Sequence, residues 1–228
     1  MRDIKINNQE VLDILNDYKD WLIPKYYNGD MDRDLKCKCP DHIREDWISD
    51  EYLQRQIAEG RGHDGYPPSM RSYTGTMPDS GVEGLESRPG SAAPYRDKTL
   101  EMNTKLMQQL SARKNSLATL YPPGGWIAWH NNANVPGYNV LFSWSETGDG
   151  WFDYWDIKKK ERVHMPDVKG WQCKMGYFGS YDEPERLCYH AASTECLRIS
   201  VAYVFAAPFQ VSGEGIWQDV IDDIEENW

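Results

Sequence analysis

Apolar positions repeat with a helical period in the first part of this chain and with a strand period in the second. Val11, Leu12, Ile14, Leu15, Tyr18 and Leu22 fall on one helical stripe between residues 8 and 23; Asn7 and Asn8 precede it as caps and Pro24 is expected to end it. A shorter helical pattern follows from Asp46 to Ala58. From Gly60 to Pro94 the composition turns to Gly, Pro and Ser without a sustained period, which reads as one long loop. In a compact domain that length marks a lid, a binding segment or disorder. A second helix is predicted from Asp97 to Leu117, with Leu100, Leu106, Met107, Leu110 and Leu117 as its apolar face.

From Leu120 onward, short runs of aromatic and branched residues are separated by turn signals: Pro122-Pro123-Gly124-Gly125, Pro136-Gly137 and Gly148-Asp149-Gly150. Candidate strands are Trp126 to His130, Tyr138 to Trp144, Trp151 to Trp155, Arg162 to Met165, Gln172 to Phe178, Leu187 to His190 and Leu197 to Phe205. Short strands at this spacing predict a barrel, sandwich or jelly roll. Residues 216 to 228 read as an acidic helix whose Ile216, Trp217, Val220, Ile221 and Ile224 share a face, either docked on the barrel or joining two copies in a homo-oligomer. The expected organisation is one domain: residues 1–119 as helices and a 60–95 loop packed on the core, 120–210 as the core, and 211–228 as the C-terminal helix.

Charge narrows the function classes. There are 36 acidic against 25 basic residues, a net charge of -11, and no Lys/Arg cluster that could track a phosphate backbone, so no nucleic-acid partner is expected. No apolar run approaches a membrane span and the N-terminus lacks a signal-peptide core, so a soluble, cytoplasmic protein is expected. The 5 Cys fit reduced thiols rather than a disulfide framework. Cys37, Cys39 and His42 could begin a zinc site, but a second ligand pair at finger-like spacing is missing. The 10 Trp and 14 Tyr suit both a core and a polar pocket.

The candidate chemistry lies in two strands and one strand end. By strict alternation Trp126, Ala128 and His130 point one way, and His130 is followed by the polar loop Asn131-Asn132-Ala133-Asn134. His190 lies sixty positions later, and Arg198 eight beyond that, in the strand that also carries Ser200. Arg198 and Ser200 share a face without an acidic neighbour in their own strand. A guanidinium buried there would need a carboxylate, and an incoming ligand is the natural source.

His130, the distal His190 and the Arg198-x-Ser200 pair, spread over residues 120–209, resemble the iron(II)/2-oxoglutarate-dependent oxygenase superfamily, nearest its aspartyl/asparaginyl hydroxylase-like or prolyl hydroxylase-like branches. The resemblance implies a mainly β protein with flanking helices (α+β) around a double-stranded β-helix, a jelly-roll, cupin-like core. It further implies His130 and His190 as iron(II) ligands, Arg198 and Ser200 as the clamp on the 2-oxoglutarate carboxylate, Tyr138 in the cosubstrate pocket, and ascorbate as a reductant.

Where that family carries an acid two residues after the first His, this chain has Asn132, and residues 102 to 145 contain no Asp or Glu. An amide oxygen is a neutral, weaker ligand. Three readings stay open: a hydroxylase whose iron is held by His130 and His190 with Asn132 or water, a halogenase with halide in the vacant position, or a binding module whose metal site has decayed. Asp149, Asp153 or Asp156 could reach the metal from a neighbouring strand, whereas His164 reads as a hairpin residue and His63 as a loop residue. For a hydroxylase the expected substrate is a peptide, a protein side chain or a small molecule, because the long loop could close over something sizeable.

Overall fold

A computed structural model describes residues 1–34, 44–60, 70–76, 93–110, 112, 114–132, 136–205 and 214–225. Two antiparallel sheets form its middle. The larger has six strands in the order β1 (Arg2–Ile4), β9 (Gly170–Phe178), β6 (Gly137–Ser145), β11 (Arg198–Val204), β4 (Lys114–Tyr121) and β3 (Tyr73–Thr76). The smaller has five, in the order β2 (Met70–Arg71), β5 (Trp126–His130), β10 (His190–Thr194), β7 (Gly150–Asp156) and β8 (Glu161–Pro166). The class is therefore α+β, mainly antiparallel sheet with flanking helices.

Strand alternation sorts the side chains into three apolar groups. Ile199, Val201, Tyr203, Val140, Phe142, Cys173 and Met175 point from the larger sheet toward α1 (Gln9–Tyr27), α5 (Ala93–Gln109) and α6 (Glu214–Glu225). Trp126, Ala128, Trp129, Tyr189 and Ala191 point from the smaller sheet toward α4 (Asp50–Glu59), which supplies Tyr52 and Leu53, and toward Trp47 at the end of α3 (Arg44–Trp47). Between the sheets, Tyr121, Phe178, Leu117 and Leu141 from the larger meet Met70, Ile127, Phe152 and Ala192 from the smaller.

Several elements differ from the sequence reading, each for a local reason. α1 runs through Pro24 to Tyr27: the proline has no N–H to donate within the helix, yet its carbonyl still accepts from Asn28 N–H at 2.9 Å and closes the last turn. The stretch read as one long loop contains β2 and β3, which pair with β5 and β4. Residues 61–69 and 77–92 of that stretch lie outside the described residues. α5 begins at Ala93 and ends at Gln109, so Leu117 belongs to β4, where it faces the other sheet. β10 starts at His190 rather than ending there.

α6 spends its apolar face inside the chain: Val220, Ile221 and Ile224 are buried in the core beneath the larger sheet. Its carbonyls also seat the start of α1. Asn7 and Asn8 N–H both donate to Ile224 O, and Asn8 Nδ2–H donates to Asp223 O at 2.7 Å. Asn8 Oδ1 meanwhile accepts from Glu10 and Val11 N–H, satisfying two donors of the first helical turn. One buried side chain thus caps α1 and ties it to α6. Asn8→Ala is expected to lower stability by about 1–2 kcal/mol, read as a lower urea midpoint with an unchanged slope.

Candidate metal centre

His130 and His190 are directly opposite one another, His130 at the end of β5 and His190 at the start of β10. Their rings lie 4.1 Å apart between centroids, inclined at 52°. Simple alternation would not put them there. Ala192 pairs with Ile127, yet His190 pairs with His130, so β5 holds one extra residue between the two pairings. That bulge turns both Ala128 and Trp129 outward to the helix-covered cluster and leaves Ile127 and His130 directed between the sheets. The expectation that His130 shares a face with Trp126 and Ala128 is corrected by it.

Both imidazoles are oriented by their own strands. His130 Nδ1 lies 2.7 Å from Ala128 O, and His190 Nδ1 lies 2.9 Å from Cys188 O. A carbonyl only accepts, so each Nδ1 carries the hydrogen and each Nε2 carries the lone pair in the neutral ring. Donation from one ring nitrogen to a backbone carbonyl is the arrangement that orients a metal-ligating histidine. His190 is buried, with the Phe178 and Phe152 rings 4.7 and 5.7 Å from its centroid. Burial pushes its pKa down to about 4, outweighing the upward effect of the hydrogen bond to the Cys188 carbonyl, so the ring stays neutral and able to ligate at neutral pH.

Of the other expected ligands, the three acids are engaged elsewhere. Asn132 lies two residues past His130, half-buried and beyond the end of the strand. Asp153 faces the opposite side of the smaller sheet, since its neighbour Tyr154 is the residue paired with His190. There its buried carboxylate accepts from Arg162 Nε at 2.6 Å and lies 2.8 Å from His164 Nδ1, while the Arg162 guanidinium covers the Trp129 and Trp151 rings. Asp156 accepts from the amides of Lys158 and Lys159 in a turn, and Asp149 accepts from Thr147. Among the described residues no three His, Cys, Asp or Glu side chains form a metal-binding group. Cys37, Cys39, His42 and His63 lie outside the described residues.

Arg198 is where alternation placed it, buried between the sheets with Ser200, but it already has a carboxylate. Its Nε–H donates to Asp167 Oδ2 at 2.7 Å and its Nη2–H reaches Asp167 Oδ1 at 3.4 Å and Ser143 Oγ at 3.1 Å. Nη1–H donates to Ser200 Oγ, and the Tyr121 ring lies 5.8 Å below the guanidinium carbon. Gln172 Nε2–H donates to Asp167 Oδ1 at 2.6 Å, and its Oε1 accepts from the buried Lys174 Nζ at 2.9 Å. Lys174 in turn lies 3.4 Å from Asp3. The sequence reading found Arg198 and Ser200 and missed Asp167, which follows β8 in a segment, Pro166-Asp167-Val168-Lys169-Gly170, that reads only as a turn.

Tyr138 is not part of this interior. It stands on the helix-covered face of the larger sheet, against Trp217 of α6 at 4.6 Å and Tyr177 at 5.0 Å. Its residue parity is that of Val140 and Phe142, which fixes the side it takes.

No protein-family model matches this chain, and no characterised protein sequence matches it. Solved structures with partial likeness include a Pseudomonas putida prolyl-4-hydroxylase at 14% identity, with 74% of this chain and 88% of that chain covered and a TM-score of 0.35. A viral collagen prolyl hydroxylase from Paramecium Bursaria Chlorella virus-1, in its 2OG complex, has 14% identity, 69% and 91% coverage and a TM-score of 0.32. Drosophila melanogaster CENP-C bound to CAL1 has 14% identity, 48% and 100% coverage and a TM-score of 0.27.

The depressed pKa of His190 has a sign that can be tested. A histidine whose folded value lies near 4, below the 6.5 of an unperturbed ring, supports the fold fully above pH 6.5 and withdraws that support as pH falls toward 4. In metal-free protein, urea unfolding is expected to show stability falling between those values, with His190 adding up to about 1.4 kcal/mol per pH unit. His190→Asn, which keeps an N–H for Cys188 O and does not titrate, should lack that component.

Proposed function

We propose that this chain is an iron(II)- and 2-oxoglutarate-dependent hydroxylase built on a double-stranded β-helix, acting on an unactivated C–H bond of a peptide or protein side chain. The observation that carries the reading is the pair of facing imidazoles, each tethered through Nδ1 to a carbonyl of its own strand. Two neutral imidazoles fit two positions of a divalent iron. Asn132 or water is left for the position where an acid would compensate the metal's charge, so weak metal binding is expected.

Iron(II) with 2-oxoglutarate and oxygen would supply the oxidising power, and the chain supplies orientation and exclusion of water. His130 and His190 would hold the metal, and the Phe152 and Phe178 rings packed against His190 would keep water from that side. Arg198, with Ser200, is the candidate anchor for the cosubstrate's distal carboxylate, although Asp167 holds it in this structure. That pairing favours a second reading, a metal-binding module without turnover.

Anaerobic addition of iron(II) and 2-oxoglutarate is expected to give a weak visible charge-transfer band, and oxygen is expected to release succinate. His130→Ala should lose both signals. A band without succinate would select the binding module, and no band at all would contradict the hydroxylase.

A further inference from the structure

A guanidinium that is 1% exposed, beside a carboxylate that is 0% exposed, has no water to fall back on. Whatever anion sits against Arg198 must satisfy Nε and Nη2 together, and Asp167 does so from a backbone held independently of the ion pair. Asp167 N–H donates to Gly150 O at 2.9 Å, at the start of β7. Gly150 also makes room for the carboxylate: a Cβ at that position would come within 2.6 Å of Asp167 Oδ2 and 3.0 Å of Thr194 Oγ1. Asp167 Oδ1 also accepts from Gln172, whose own oxygen is held by Lys174. The seat is thus built from four elements, with the carboxylate supplied by the β8–β9 connection.

We propose that Asp167 is an intramolecular occupant of the Arg198 carboxylate seat, and that a ligand carboxylate reaches Arg198 only by displacing it. The inference rests on the hydroxylase reading only for which dicarboxylate enters, since the exchange itself requires neither metal nor turnover. Two carboxylates cannot share one buried guanidinium without leaving one negative charge uncompensated, so the exchange is competitive. Asp167 lies immediately before Val168, which is 57% exposed, so the displaced side chain has a short path to solvent. A dicarboxylate therefore binds the native protein weakly, and binds more tightly once the internal carboxylate is gone.

Metal-free protein tests this directly, with acetate and glutarate as probes and chloride at equal ionic strength as the control. In Asp167→Gly both carboxylates are expected to raise the melting temperature by at least about 5 °C, whereas native protein should shift little. The response should vanish in the Asp167→Gly/Arg198→Met double variant. Should Asp167→Gly not fold in chloride, Asp167→Asn keeps the volume without the charge, and glutarate should stabilise it more than it stabilises native protein. An equal response in native protein and the variants would overturn the proposal, as would no response in a folded variant or a response that survives loss of Arg198. Absence of an iron signal would sink the hydroxylase reading and leave these melting shifts unchanged.

Discussion

The interior between the two sheets is organised by one requirement, that a buried guanidinium be neutralised. Arg198 projects inward from the start of β11, an interior strand of the larger sheet, and deleting one member of such a buried pair costs about 3–5 kcal/mol. The polar residues around it follow from that requirement. Ser143 and Ser200 lie opposite one another on β6 and β11, and Gln172 pairs with Ser143 on β9, so one row across the sheet carries Arg198's hydroxyl partners and Asp167's amide partner. Donors and acceptors alternate from Arg198 through Asp167 and Gln172 to Lys174 and Asp3. A network satisfied along its length rigidifies a core, and one with a missing member is costly.

The histidine pair depends on a different device, a single extra residue in β5. Without it Trp129 would stand opposite His190, a large ring would point between the sheets, and His130 would face the helices. The bulge sends the indole to the outer cluster, where its N–H donates to Ile48 O at 3.0 Å. Bulges occur beside active sites because they re-aim side chains in this way. Here the rearrangement leaves two imidazoles adjacent, with the neighbouring Phe152 and Phe178 rings keeping water away from one of them.

Much of the strand content was legible from residue 120 onward because turn residues bracket the runs, and β5 was located to the residue. Arg198 and Ser200 were also legible, since a period of two is robust in a straight strand. His130 stands opposite His190 by a route that alternation does not contain, because a bulge leaves no sequence signature in Trp126-Ile127-Ala128-Trp129. β4 was hidden by Leu106, Leu110 and Leu117, whose spacing continues a helical stripe across the end of α5. Asp167 was hidden for a deeper reason. Its role depends on a contact 31 residues away, and in the sequence it is only an acid in a turn. The expected vacancy beside Arg198 was therefore filled from a part of the chain that local pattern does not connect to it.

His130 and His190 as joint ligands of one divalent metal is the claim on which the functional reading stands. X-ray absorption of the anaerobically iron(II)-loaded protein, compared with His190→Ala, measures it by counting the imidazole nitrogens bound to iron. Two are expected in the native protein, with the variant retaining at most one. A spectrum dominated by sulfur, or one with the same imidazole count in both proteins, would contradict a site shared by these two histidines.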